Sequence, residues 1–399
     1  MRGARLVTYL LPLVAVLGLR ATIAGGSLTA EPEPGERAPD SASWVRDRDI
    51  EFYEARIPRD PLGAMDRMRL ASLYLQRGTA TGSEADFIRS DEAASASLEH
   101  RRAHNEAALA VLAGARMARH RFVEARDAAR ELVARAPESA AARALLAEAL
   151  LELGSYAEAG DLFRRLTSGA HDPSVLTRLA RWHELEGRVE LAGRLLREGR
   201  DRALQLHGLP PEQRAWFHLR VADFALRYGR LREAAAALKA GLRASPGDHR
   251  LLAAKARLAF KTGNWQQAVR DGEGALAGAF DPATLGLLAD AYAALGDTAS
   301  AARLETVMDV SLLGQPGPFH RGWSLHLLDR RRHVPELLRR AEEELRMRRD
   351  VYGWDVYAWA LHASGRNREA ATAMDSALAR GTRDPLLLQH ARVIQQAGR

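Results

Sequence analysis

Small and large residues recur along this chain in a fixed six-residue order. A glycine is followed two positions later by a residue that is usually bulky or apolar, and three positions after that by an alanine. The order is found at Gly154/Tyr156/Ala159, Gly187/Val189/Ala192, Gly229/Leu231/Ala234, Gly263/Trp265/Ala268, Gly296/Thr298/Ala301 and Gly365/Asn367/Ala370. Together with Gly398, these glycines are spaced 33, 42, 34, 33, 69 and 33 residues apart, and the longest spacing is close to two periods. A period of about 34 residues predicts a stack of antiparallel helix pairs.

Each residue of this order has its own role in a helical hairpin. The glycine allows the chain to reverse between two helices, and His120 takes its place in the first hairpin. The bulky residue fills the gap between the helices, and the alanine is small because the helices cross closest there. Aspartate caps a helix N-terminus and proline suits the first helical position, so four Asp-Pro pairs are predicted to begin helices. These pairs are Asp60-Pro61, Asp172-Pro173, Asp281-Pro282 and Asp384-Pro385.

The same pattern divides the folded part of the chain. Residues 47–104 are predicted to form an atypical N-terminal helical unit, and residues 105–399 a regular solenoid with one degenerate unit between 311 and 350. A lone helix after Asp384 is predicted to cap the array, with Gln389, Arg392 and Gln395 on its polar outer face. No segment shows the sustained two-residue alternation of a strand. The predicted fold class is therefore all-α, a superhelical solenoid of antiparallel helix pairs with a C-terminal capping helix.

Residues 1–24 carry the pattern of an export signal. Arg2 and Arg5 precede an apolar run from Leu6 to Leu19, which is shorter than the roughly 20 residues of a membrane span. A cleaved signal peptide and an uncleaved N-terminal membrane anchor both fit, and both place the rest of the chain across the membrane. Residues 25–46 are rich in Gly, Pro, Glu and Ser and are predicted to be a disordered linker. We therefore expect an exported protein, periplasmic or anchored to the inner membrane and facing the periplasm.

Composition narrows the classes of function. The 399 residues contain no cysteine, which excludes disulfides, thiolate nucleophiles and cysteine-ligated zinc. The net charge of +7 is carried mostly by arginines, and these are interspersed with 51 acidic residues. Because a nucleic-acid footprint gathers basic residues on one face, this interspersion gives no reason to expect a nucleic-acid partner.

With units of about 34 residues and these positions, the chain resembles the tetratricopeptide repeat family from about Asn105 to Gly398. The run from Trp354 through Trp359 and Gly365 to Asp384 also resembles exported bacterial tetratricopeptide proteins. The resemblance implies a right-handed superhelix whose concave face binds peptides or partner proteins. The chain departs from the family at the eighth position of the unit, which is Ala rather than Gly almost throughout. It also lacks the full Lys, Arg and Asn set with which the family clamps a peptide carboxylate.

The resemblance also predicts which residues line the concave face. In this fold the ninth residue of the first helix of each unit points inward, which gives the sign-alternating series Glu148, Arg181, Asp223, Arg257 and Asp290. Neighbouring repeats lie about 10 Å apart, so long arginine side chains can bridge them. The series is either a ladder satisfied within the chain or one that a charged partner must break. Further inward positions near the C-terminus are Tyr352, Asp355, Trp359, His362 and Arg392.

Signatures of catalysis are weak. His100 and His104 have the spacing of zinc ligands on a helix but lack an evident third ligand, and two solvent-facing histidines explain them more simply. Neither a phosphate-binding glycine loop nor a nucleophile elbow is present. We expect no catalytic residue, metal or cofactor. The main hypothesis is a non-catalytic scaffold or adaptor in the bacterial cell envelope. The alternatives are an accessory subunit or assembly factor of an envelope transport or polysaccharide machine, and an enzyme built on the stack.

Overall fold

The computed structural model describes residues 42–166, 172–314 and 321–398, and these residues form twenty α-helices and no strand. The predicted signal or anchor at 1–24 and most of the predicted linker at 25–46 lie outside the described residues. The first helix begins at Ala42, so the helical region starts inside the segment predicted as linker. In the described ranges, no helix combines the length and the apolar composition that a membrane span requires.

The helices follow one another as a row of hairpins. The N-terminal unit contains α1 (Ala42–Arg56), α2 (Ala64–Thr81) and α3 (Glu84–His100). Eight hairpins come next: α4 (Glu106–Ala118) with α5 (Phe122–Arg135), α6 (Ala140–Glu152) with α7 (Tyr156–Leu166), α8 (Pro173–Leu185) with α9 (Val189–Leu204), α10 (Pro211–Arg227) with α11 (Leu231–Ala244), α12 (His249–Lys261) with α13 (Trp265–Gly278), α14 (Pro282–Ala294) with α15 (Thr298–Gly314), α16 (Arg321–Asp329) with α17 (Val334–Met347), and α18 (Val351–Ala363) with α19 (Asn367–Leu378). The array ends in α20 (Pro385–Ala397). Each helix packs mainly on its neighbours in the chain, which confirms the predicted all-α solenoid.

The turn and packing positions have the conformations that the repeat predicts. Gly154 has φ +76° and His120 has φ +57°, the left-handed conformation that reverses the chain between two helices. The alanine of the repeat is fully buried in five hairpins, at Ala159, Ala192, Ala234, Ala268 and Ala370. In the sixth hairpin Ala301 is only half-buried, because the neighbouring Ser300 takes the buried position.

Three of the four Asp-Pro pairs begin helices as predicted. The side chains of Asp172, Asp281 and Asp384 accept hydrogen bonds from backbone N–H groups of the first turns of α8, α14 and α20. The prediction for Asp60-Pro61 is wrong, because these residues lie in a turn and α2 begins after Gly63 without a side-chain cap.

The capping helix α20 packs on the last hairpin by one face. Leu387, His390 and Ile394 are buried, whereas Gln389, Arg392 and Gln395 are exposed. The outer face of the array therefore ends in polar side chains, as predicted.

The row of hairpins curls until its C-terminal end meets its own earlier repeats. The turn after α6 contacts the start of α18, where the Arg349 N–H donates to the Leu153 carbonyl at 3.2 Å. The turn after α8 contacts the linker before α20, and Arg380 donates to Glu186 at 2.8 Å. Buried apolar residues of α4–α8 and of α18–α20 belong to one continuous core cluster. The superhelix is therefore closed by contacts between hairpins that are far apart in sequence.

Candidate functional site

The curled array lines a half-open cavity of about 530 Å³. Its wall comes from α6, α8 and α10, the first helices of three consecutive hairpins, so these helices present their inner faces to it. Side chains of α16 and α18 and of the residue before α20 complete the lining from the C-terminal repeats. The charged lining residues are the arginines Arg178, Arg181, Arg220, Arg227 and Arg321 and the carboxylates Glu148, Glu152 and Asp384.

Tyr352, at the start of α18, links the two sides of this cavity. Two guanidinium groups contact its ring, that of Arg181 at 4.7 Å from the ring centre and that of Arg321 at 4.6 Å. Arg181 also donates to the Tyr352 hydroxyl at 2.9 Å. Guanidinium groups at such distances attract the ring by cation–π interaction, so Tyr352 fixes the C-terminal repeats against α8.

The alternating charges predicted on the inner surface form one direct pair. Arg257 donates to Asp223 at 2.6 Å and thereby links α12 to α10. The other acidic members are paired with arginines outside the predicted series: Glu148 accepts from Arg178 at 2.7 Å, and Asp290 pairs with Arg330. These carboxylates are thus satisfied within the chain, but only one ladder step uses the arginine expected from the repeat register.

Asp223 and Arg257 also line a second cavity of about 430 Å³. Gly82, in the turn between α2 and α3, contributes to its lining together with His249 and Phe280. A side chain at Gly82 would collide with Ala279, so the N-terminal unit approaches the middle repeats closely. Both ends of the array therefore take part in enclosing its inner surface.

The inward positions of the C-terminal repeats differ in accessibility. Asp355 has no exposed surface and is bonded to Arg321 at 2.7 Å and to His390 at 2.7 Å. The expectation that Asp355 faces an open groove is therefore not met, because it belongs to a buried ionic cluster. Trp359 and His362 are half-buried, and Arg392 is exposed.

The Trp359 ring is held in place by polar neighbours. It stacks on His390 with a centroid distance of 4.1 Å and on His362 at 4.9 Å. Its indole N–H donates to Asp329 at 2.8 Å. Contacts within the chain thus fix the ring, and part of the ring surface is accessible to solvent.

Burial shifts the proton affinities of the charged groups around the first cavity. Burial raises the pKa of Glu152 although Arg181 lies nearby. For Arg181 burial alone would lower the pKa, but Tyr352 and Glu184 outweigh it and raise the pKa. For Asp355 burial alone would raise the pKa, but the hydrogen bond from His390 and the charge of Arg321 lower it.

Several residues of this site were not singled out from the sequence. Arg178 precedes Arg181 by one turn of α8, and Arg220 and Arg227 lie two turns apart on α10, so helical spacing places each pair on one face. This helical spacing is visible in the sequence. It shows that the two arginines of each pair share a face, but it does not show whether that face points into the cavity. In the described part of the chain, no cluster of three or more His, Asp or Glu side chains could hold a metal ion.

Residues 116–182 match the family model described as Tetratricopeptide repeat. This segment is similar to the tetratricopeptide repeat. The matched segment runs from α4 to α8, and the regular hairpins continue the array to α19. No protein of curated description shows significant sequence similarity to the chain.

Solved structures show the same architecture. The helical array is similar to the crystal structure of the APC/C hetero-tetramer Cut9–Hcn1, with a TM-score of 0.54 and 14% identity over 95% of this chain and 62% of that one. It is also similar to the human IFIT1 dimer with PPP-AAAA, with a TM-score of 0.51 and 15% identity over 79% of this chain and 72% of the other. PilW, a type IV pilus biogenesis factor, matches with a TM-score of 0.44 and 19% identity over 56% of this chain and 99% of PilW. The chain spans about 62% of the first of these structures, and at such identities the likeness concerns the fold alone.

Proposed function

We propose that the protein is a non-catalytic protein-interaction scaffold of the bacterial cell envelope, which binds a partner protein through the inner surface of its C-terminal repeats. The observation that carries this proposal is the state of Trp359. Its ring is stacked on His390, bonded to Asp329 and partly accessible. Tryptophan and arginine dominate the binding energy of many protein interfaces, and a preordered ring binds at a lower entropy cost.

The closure of the superhelix limits which part of the inner surface a partner protein can contact. The inner faces of α6, α8 and α10 are engaged by the C-terminal repeats, through contacts such as those of Tyr352 with Arg181. Arg392 occupies in α20 the repeat position that Trp359 occupies in α18, and it is exposed. The partner surface that we propose therefore consists of Trp359, His362 and Arg392. Of the other predicted inward residues, Arg181 and Tyr352 join α8 to α18 across the closure. The remaining ones form ion pairs between neighbouring hairpins, and these are Glu148, Asp223, Arg257, Asp290 and Asp355.

The location in the envelope rests on the N-terminal sequence. The basic and then apolar order of residues 1–24 supports export, whether or not the segment is cleaved. A fusion of residues 1–46 to a phosphatase that is active only outside the cytoplasm tests it. We expect activity in cells carrying the fusion, and loss of activity when Leu10 and Val14 are both replaced by Arg. A fusion that stays inactive would contradict export.

The partner surface is tested by photocrosslinking in the native host. A photoreactive residue at His362 or Arg392 is expected to crosslink one and the same protein. The matched controls carry the residue at Thr372 or Asp375, which are exposed on α19. Replacing Trp359 with Ala is expected to abolish the crosslink while the helical content is retained. Equal crosslinking from α19, or an unchanged crosslink in the Trp359→Ala variant, would contradict the proposed surface.

A further inference from the structure

The charges in the 530 Å³ cavity are paired with one exception. Arg178 is bonded to Glu148 at 2.7 Å, and Arg321 to Asp355 at 2.7 Å. Arg181 and Arg227 share the carboxylate of Glu184, which lies 3.6 Å from the Arg181 guanidinium and in direct contact with that of Arg227. Arg227 also lies 3.9 Å from Asp384, so each of these four arginines has at least one carboxylate of the same chain as a partner.

Arg220 is the exception. Its guanidinium lies over the ring of Trp216, 5.9 Å from the ring centre, but forms no hydrogen bond or ion pair with the residues that the structure describes. The charges that act on it are the carboxylates of Asp223 and Glu184 and the like charges of Arg181 and Arg227. Burial lowers the pKa of Arg220, yet a guanidinium keeps its proton in proteins. The cavity thus contains one guanidinium group whose N–H donors have no hydrogen-bond acceptor among the described residues.

Arg220 is half-buried and its cavity is half-open, so an anion can reach these N–H donors from the solvent. The planar guanidinium offers parallel N–H donors that match the two oxygens of a carboxylate or phosphoryl group. A cavity of about 530 Å³ is larger than a single such group and has the size of many small-molecule sites. Trp216 and Leu151 give it apolar wall next to the charge.

We propose that the cavity between α6, α8 and α10 binds a small molecule through a carboxylate or phosphoryl group, which Arg220 holds by a two-pronged hydrogen bond. The site is separate from the Trp359 surface, so it can be present whether or not the protein binds a partner there. The remaining arginines keep their own carboxylates and shape the cavity. The ligand brings the hydrogen-bond acceptor that Arg220 lacks.

Calorimetric titration of the full-length protein with inorganic phosphate, and separately with succinate, in a chloride buffer of constant ionic strength tests this proposal. The two titrations distinguish a phosphoryl from a carboxylate ligand. We expect at least one of them to bind with one-to-one stoichiometry and to raise the thermal midpoint of unfolding by mass action. The Arg220→Gln variant is expected to bind at least tenfold more weakly and to lose the rise in midpoint. The affinity of the Arg220→Lys variant should lie between those of the wild-type protein and Arg220→Gln, because lysine keeps the positive charge but has no pair of parallel N–H donors.

Arg232→Gln is the matched control. Arg232 is exposed on α11, so this change removes the same charge from the protein outside the cavity. It should leave both titrations unchanged. The proposal is overturned if neither anion binds, or if Arg220→Gln binds as tightly as the wild-type protein. It is equally overturned if only a peptide with a free C-terminal carboxylate binds while phosphate and succinate do not. Crosslinking from His362 and Arg392 should be unaffected by Arg220→Gln, so failure here is distinguishable from failure of the partner surface.

Discussion

The hydroxyl of Tyr156 accepts a hydrogen bond from the backbone N–H of Val351 at 2.7 Å, across 195 residues of sequence. Tyr156 is the bulky residue that follows the turn glycine of the second hairpin, so the repeat predicts only a local packing role for it. Its hydroxyl instead joins the first turn of α7 to the start of α18. Arg349 and Leu153 form a second backbone link at the same place. These contacts make the array a closed superhelix.

Replacing Tyr156 with Phe removes the hydroxyl and leaves the Val351 N–H without its acceptor. We expect a loss of about 1–2 kcal/mol in the free energy of unfolding, because an unsatisfied donor in this junction costs more than the bond contributed. Denaturant unfolding followed by circular dichroism measures it. The control is Tyr228→Phe, since the buried Tyr228 hydroxyl has no hydrogen-bond partner in the described structure. Equal losses in the two variants would contradict a specific role for Tyr156.

A substitution at Gly154 tests how closely the α6–α7 turn approaches the start of α18. Gly154 and Gly263 both have positive φ, at +76° and +73°, so alanine costs each of them a similar backbone strain of about 1–2 kcal/mol. A side chain at Gly154 would also collide with the backbone of Arg349, whereas Gly263 has open space around it. We expect Gly154→Ala to lose about 1–3 kcal/mol more than Gly263→Ala, as in overpacked sites.

Hydrogen exchange locates that difference. Gly154→Ala is expected to speed amide exchange at residues 349–352, where the α6–α7 turn docks, and Gly263→Ala is not. Similar exchange at these residues in both variants would show that the turn does not press on the start of α18.

His183 gives the protein a defined dependence on pH. It is buried near the end of α8, and burial, reinforced by Arg188, lowers its pKa to about 4. The unfolded chain therefore binds a proton at a higher pH than the folded one, so protonation favours unfolding as the pH falls below about 6.5. Between pH 7.5 and 5 this histidine alone should reduce the free energy of unfolding by about 2 kcal/mol.

The His183→Gln variant isolates this contribution. We expect it to flatten the curve of unfolding free energy against pH between 5 and 7.5. A residual slope of the same sign should persist, because burial also lowers the pKa of His218 and His249. Parallel curves for the variant and the wild-type protein would contradict the assignment.

The hairpins could be predicted from the sequence because their determinants are local. Gly154 and Ala159 lie five positions apart and act on the same turn, and Asp172 caps the helix that begins at the next residue. Asp60-Pro61 shows the limit of such signals, since an aspartate and a proline also stabilise a turn, and the helix there begins only after Gly63.

The closure and the cavity could not be predicted in the same way. A period of about 34 residues specifies contacts between neighbouring hairpins, but not how tightly the row curves. The contact of Tyr156 with Val351 depends on small rotations summed over many hairpins. The repeat register predicts that Arg181 points inward. It does not predict that Tyr352 is the hydrogen-bond partner of Arg181, because that contact depends on the curvature of the whole row.

The distance across the closure tests the central claim most directly. The chain contains no cysteine, so the double variant Ser155→Cys, Met347→Cys can carry two spin labels at exposed positions beside the contact. Pulsed electron spin resonance should give one narrow distribution at roughly 20 Å, because both sites lie a few residues from hydrogen-bonded partners. In an open array the labels would be separated by a row of hairpins whose helices pack about 8–10 Å apart, which gives roughly 50 Å or a broad distribution. Such a long or broad distribution would contradict the closed superhelix.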